Sequence, residues 1–194
     1  MPLSVQTSCT AFARHRRLAS GPLPDVALAV KAALEGDPAA PDSVLTFDDS
    51  TGRVVDLDLR GSRDDVLARL AADPPAGEAP RGRGRPRLGV VAREVTLLPR
   101  HWEWLNAQAG GASVALRKLV ETAMRDPRGR AQDMREAAYR FMSAMAGDMP
   151  GFEEATRALF ADDHDGMRAR MAAWPPDIRD HALKLAFGDA PRPA

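Results

Sequence analysis

Thr46-Phe47-Asp48-Asp49-Ser50-Thr51-Gly52-Arg53-Val54-Val55-Asp56-Leu57-Asp58-Leu59 is the stretch that sets the fold class. Val44 to Phe47 is a short β-prone run. Asp48 to Gly52 is turn chemistry, because Asp and Ser side chains bond their own backbone and Gly accepts a left-handed conformation. Val55, Leu57 and Leu59 then alternate with Asp56 and Asp58, the pattern of a strand with one wet face. Together the two runs predict a hairpin. Upstream, residues 10–18 alternate loosely and end at Ser20-Gly21-Pro22, which predicts a strand and a turn. Pro22 and Pro24 suit a helix entrance, Val26, Ala29, Val30, Ala33 and Leu34 recur at helical spacing, and Gly36 supplies a stop. Downstream, Ser62 and Asp65 have the spacing of a capping box and open a helix with Val66, Leu67 and Leu70 inside. Residues 1–72 therefore read β-α-β-β-α, a small α+β domain.

Working outward, Asp73 to Leu88 holds four prolines and three glycines and has no apolar period. Residues 73–89 are expected to be a basic flexible linker. Residues 90–126 read strand, helix, turn, helix. Val91 to Leu98 is β-prone and Pro99 opens a helix with Trp102, Trp104 and Leu105. Gly110-Gly111 breaks that helix, and a second one carries Val114, Leu116, Leu119, Val120 and Ala123 until Asp126-Pro127. Residues 127–190 are expected to be helical. Met134, Ala138, Phe141, Met142 and Met145 form one stripe and Phe152, Ala155, Thr156, Leu159 and Phe160 another, while Pro175-Pro176 opens a last helix. Seven of the eight methionines lie between Met124 and Met171, where stripes of this kind fill cores.

A chain of 194 residues is one ordinary domain or two small ones. Its 44% apolar and 28% charged residues fit a globular protein. No apolar run is long enough to cross a bilayer. The first twenty residues lack an apolar h-region, so no cleaved secretion signal is expected. Their transit-like bias toward arginine is set aside, because Phe12, Arg14 and Arg16 alternate like strand positions. One cysteine, Cys9, excludes an internal disulfide and a multi-cysteine metal site. The expected compartment is the cytoplasm. Only three of 27 basic residues are lysine, a bias that points to a GC-rich bacterial genome and weakens arginine as a functional signal.

The formal net charge of zero hides three blocks. Residues 1–80 carry −4, residues 81–130 carry +7 and residues 131–194 carry −3. A positive surplus confined to a quarter of the chain attracts phosphate even on a neutral molecule. The same pattern also fits a solvated linker beside acidic domains. Within it, Gly82-Arg83-Gly84-Arg85-Pro86-Arg87 resembles an AT-hook. Glycine lets such a backbone approach the minor-groove floor, proline keeps it extended, and arginines sit where a narrow groove concentrates negative potential. Arg83 and Arg85 would insert, while Arg81 and Arg87 would hold phosphate.

Residues 93–125 resemble a ribbon-helix-helix unit, which implies an obligate homodimer with a two-stranded ribbon in the major groove. Arg93 and Thr96 would lie on that ribbon. Ser113, Arg117 and Lys118 would hold phosphate at the start of the second helix, where N–H groups are free. Glu94 would repel phosphate, and neither strand face is rich in base-reading residues. The competing reading packs this piece inside one globular domain with Trp102 and Trp104 as core.

Other constellations carry less. Asp162-Asp163-His164-Asp165 cannot all face one ion and reads as a helix cap. Asp48, Asp49, Asp56 and Asp58 lack the spacing of an EF-hand loop. Cys9, His15, Ser8 and Ser20 form no nucleophile–base motif, and His101 and His181 read as surface or packing residues. No phosphate-binding glycine loop is present. No catalytic residue, metal ligand or cofactor is assigned.

Several long runs also carry a resemblance: Thr46 to Ser62, Gly84 to Leu105, Gly110 to Val120 and Trp174 to His181. Together they resemble the bacterial domain-of-unknown-function family 2239. The resemblance implies a bacterial protein in which these segments belong together, and it supplies no activity. The leading expectation is a non-catalytic DNA-binding or regulatory homodimer with an α+β N-terminal layer. The alternative is an interaction or adaptor protein with a protein partner and no nucleic-acid role.

Overall fold

A computed structural model describes residues 4–36, 44–72 and 94–188. By their contacts these fall into two units, residues 4–72 with 131–188, and residues 94–130.

The first unit begins with β1 (Ser8–Ala13), β2 (Arg16–Pro22), α1 (Leu23–Gly36), β3 (Val44–Asp48), β4 (Val54–Val55) and α2 (Arg63–Ala71). The strands form an antiparallel sheet in the order β2-β1-β3-β4. Residues 10–18, one strand on sequence pattern alone, are instead parts of a hairpin that turns at Arg14-His15. The N-terminal layer is therefore β-β-α-β-β-α. Arg14 takes φ 53, a left-handed conformation that sequence rules expect of glycine or asparagine.

The β3–β4 hairpin forms as expected. Its turn is tied by Asp48, whose Oδ1 accepts from the Ser50 amide at 2.8 Å and whose Oδ2 accepts from Thr51 Oγ1 at 3.0 Å. Strand pairing stops at Val55. Residues 56–60 keep the alternating exposure of a strand but pair with no strand among the described residues. Leu57 and Leu59 pack toward α1 instead, where Lys31 Nζ donates to the Leu59 carbonyl at 3.1 Å. The Ser62–Asp65 capping box is present at the start of α2.

Both faces of the sheet are covered, so β1 is buried along nearly its whole length and lacks polar alternation. Cys9 and Ala11 pack with Leu23, Val26, Val30 and Val55 on the α1 side. Phe12 and Phe47 pack with Phe141, Met142 and Ile178 on the other. That second cover comes from α5 (Pro127–Ala146) and α8 (Pro176–Phe187), joined through α6 (Phe152–Phe160) and α7 (His164–Arg170). The helical region that sequence pattern sets apart thus shares its core with the N-terminal sheet. Phe141 anchors it, with ring centroids 4.9 Å from Phe47 and 5.3 Å from Phe12. Burying each such ring stabilises by about 1.5–3 kcal/mol. Met142, Met167 and Met171 are fully buried there as core filler.

The β3–β4 turn lies directly on α5. Gly52 has φ 65, and a Cβ there would fall 1.9 Å from the Ala137 carbonyl oxygen. Arg140 Nη1 donates to the Thr51 carbonyl at 3.0 Å, tying the same turn to the helix.

In the second unit, α3 (Pro99–Asn106) starts at the expected proline and α4 (Gly111–Arg125) begins at the second of two glycines with φ 89 and 74. Glu94 to Leu98, the described part of the expected strand Val91 to Leu98, has no strand partner among the described residues. Leu105 is the buried residue of α3 and Ala115 that of α4.

Candidate nucleic-acid interface

The expected phosphate-holding residues sit at the start of α4. Its cap residue is Gly110, and no side chain bonds the first free N–H groups of the helix. Such an end favours an anion through its unpaired donors and the helix dipole. Ser113, Arg117 and Lys118 are all exposed in the first two turns. Arg117 Nε donates to the Ser113 carbonyl at 3.1 Å, which lays its guanidinium back toward the helix start. Thr96 is exposed in the unpaired segment before α3. Arg81, Arg83, Arg85, Arg87 and Arg93 lie outside the described residues.

At about 100° per residue, α4 places Arg117, Lys118 and Arg125 on one side and Leu116, Leu119, Val120 and Ala123 on the other. The apolar side is bare. Val95, Leu98, Trp104, Leu119 and Val120 are about half exposed, and Met124 is 73% exposed. Trp102 and Trp104 are therefore not core residues of this unit, against the competing expectation. Scattered exposed apolar residues are ordinary, and these stand out by their number within so short a segment.

The Asp162–Asp165 run, read as a helix cap, contains one. Asp163 accepts from the Gly166 amide at 2.9 Å and caps α7. Asp58 is gripped by Arg60 Nε at 2.8 Å and Nη2 at 2.7 Å. Those bonds hold its carboxyl well below the usual carboxylate range. Among the described residues no group of three or more His, Cys, Asp and Glu side chains is placed to hold a metal ion.

One cluster escaped the sequence pattern. His181 of α8 is buried against Phe141 and Phe12, at centroid distances of 4.6 Å and 5.3 Å. Its Nε2 lies 3.6 Å from Asp49 Oδ1, too far for a hydrogen bond, and neither atom has another partner among the described residues. Ser8 Oγ donates to Asp49 Oδ2 at 2.9 Å. The hydroxyl thus meets the acid and not the imidazole, which is the wrong order for a nucleophile–base pair. Burial pushes His181 down to about 4, against the pull of the Asp49 carboxylate. No spacing rule links residues 8, 49 and 181. Only the packing of α8 on the sheet brings them together.

The described part of the chain is thus an α+β protein with a doubly covered antiparallel sheet and a separate helical pair, exposed and apolar on one side and cationic on the other. Residues 8–186 match the family described as uncharacterized protein conserved in bacteria (DUF2239), and the chain belongs to it. No curated protein and no solved structure matches the chain. Among the described residues no helix is long and apolar enough to cross a membrane.

Proposed function

We propose that the protein is a non-catalytic DNA-binding regulator that acts as a homodimer through residues 94–125. The bare apolar face of this segment carries the reading. Fixing a residue costs about 1–2 kcal/mol of conformational entropy, and segments below about 40 residues seldom offset that alone. With one buried residue on each of α3 and α4, this segment needs an outside surface. A second copy supplies both missing elements. It covers Trp104, Leu119 and Val120, and it pairs Glu94 to Leu98 with its twin in a ribbon. The side of α4 that carries Arg117 and Lys118 then remains free to hold phosphate, with Ser113 at the helix start adding a hydroxyl. The AT-hook-like arginines Arg83 and Arg85, with Arg81 and Arg87, would add minor-groove contacts, and Arg93 with Thr96 would lie on the ribbon.

Sedimentation equilibrium of the full chain tests this reading. The expected result is a dimer that a Leu119→Glu/Val120→Glu variant converts to monomer while the sheet-bearing unit stays folded. A wild-type monomer that also ignores duplex DNA at about 50 mM salt would overturn it and favour the adaptor role.

A further inference from the structure

The β1–β2 hairpin ends in Arg14-His15-Arg16-Arg17, consecutive side chains that are all exposed. Among the described residues no carboxylate lies within ion-pair distance of Arg14, Arg16 or Arg17. In the same unit Arg60, Arg69, Arg135, Arg140, Arg157 and Arg179 have such a partner and Arg53, Arg63, Arg168 and Arg170 do not, but the hairpin tip gathers three unpaired arginines within four residues. The turn also departs from local preference. Arg14 holds φ 53, where a two-residue turn would accommodate glycine or asparagine without strain. An arginine kept in a strained position at the tip of a rigid element suggests a role for its side chain.

The ribbon spreads these charges. Arg16 is opposite Ala13 and Arg17 opposite Phe12, so the two arginines leave opposite faces, while Arg14 and His15 lead the turn. The register then shifts at a bulge between Ala11 and Phe12, the device that twists and re-aims a strand end. The tip is also anchored: the Arg17 amide donates to Asp177 Oδ2 at 2.7 Å, fixing the hairpin to the first turn of α8. An open cleft of about 490 Å³ lies there, lined by Ala13, Arg14, His15, Arg16, Pro176 and Asp177. Asp177 is the acid in this lining, and one of its oxygens already accepts the Arg17 amide.

We propose that this hairpin tip is a nucleic-acid contact, separate from α4, that grips the phosphodiester backbone. Guanidinium groups match phosphate oxygens in paired hydrogen bonds, and a two-stranded ribbon is slim enough to follow a groove. No bulky apolar side chain stands among Ala13 to Arg17 to enter a lipid surface, which favours a phosphate chain over a membrane. The proposal takes its ligand class from the function proposed above but uses different residues, so the two can fail separately.

The test is titration of the full chain with a mixed-sequence duplex of about 20 base pairs, repeated across salt concentrations. An Arg16→Gln/Arg17→Gln variant is expected to bind several-fold more weakly and to lose about 0.9 of the log–log salt slope for each phosphate contact removed. Arg14→Gly separates contact from folding. It relieves the turn, so thermal stability should not fall, yet duplex binding should weaken. If both hairpin variants bind like wild type while Arg117→Gln/Lys118→Gln loses affinity, the hairpin contact is wrong and the α4 reading stands. If the hairpin variants lose affinity and the α4 variant does not, the hairpin is supported and α4 is not. A wild-type chain that binds phosphatidylserine vesicles but no duplex overturns both.

Discussion

Gly52→Ala probes the contact on which the three-layer packing depends. The turn of the β3–β4 hairpin rests on α5 so closely that a methyl group at residue 52 would fall 1.9 Å from the Ala137 oxygen and 2.6 Å from its carbonyl carbon. Ordinary contact begins at 3.4 Å, so the turn must lift by roughly 1.5 Å. Lifting it breaks the bond from Arg140 Nη1 to the Thr51 carbonyl, a loss of about 0.5–1.5 kcal/mol. Alanine at φ 65 adds about 1–2 kcal/mol, and displaced packing adds about 1–3 kcal/mol. The expected total is about 4 kcal/mol, or a fall in Tm of about 10 °C for a chain of this length. The variant should be followed by thermal and urea unfolding monitored by circular dichroism. A Gly52→Ala protein that loses no more than the backbone cost of about 1–2 kcal/mol would refute the close approach of turn and helix.

Three further outcomes follow from the same core. His181 stays neutral in the folded chain down to about 4, whereas the unfolded chain takes up a proton near the ordinary histidine value of 6.5. Stability should therefore be full above 6.5 and fall by about 3 kcal/mol as pH drops through that window. A His181→Phe variant should lose the part of this pH slope that the imidazole supplies, whatever its midpoint. The Cys9 thiol, buried and facing the charges of Asp48 and Asp49, is pushed up to about 12, so iodoacetamide at pH 8 should label it only after denaturation. Phe141→Ala should cost about 3–5 kcal/mol, read as a lower urea midpoint, because the ring contacts Phe12, Phe47 and His181 at once.

Features written in local chemistry were legible in the sequence. Asp48 to Gly52 announced its turn, Ser62 with Asp65 its capping box, and Pro99, Gly110-Gly111 and Pro176 the ends of helices. Features made by tertiary contact were not. The Arg14-His15 turn carries no glycine or asparagine, and β1 has no alternation to read because helices cover both of its faces. The alternation at residues 56–60 was real, but it reflects packing on α1 rather than a strand. Nothing in the order of residues says that α5 and α8 close over a sheet formed more than seventy residues earlier. At the candidate interface, Ser113, Arg117 and Lys118 could be named from the helix start alone. The bare side of α4 could not, because an apolar stripe looks the same whether its partner is this chain or another.

The most direct test of the account is the affinity of the full chain for duplex DNA as salt is raised. Six or more phosphate contacts per dimer would make binding fall by about a thousandfold between about 50 and 200 mM salt, along a straight log–log line. Absence of binding at the low end, or an affinity that does not change with salt, would contradict it.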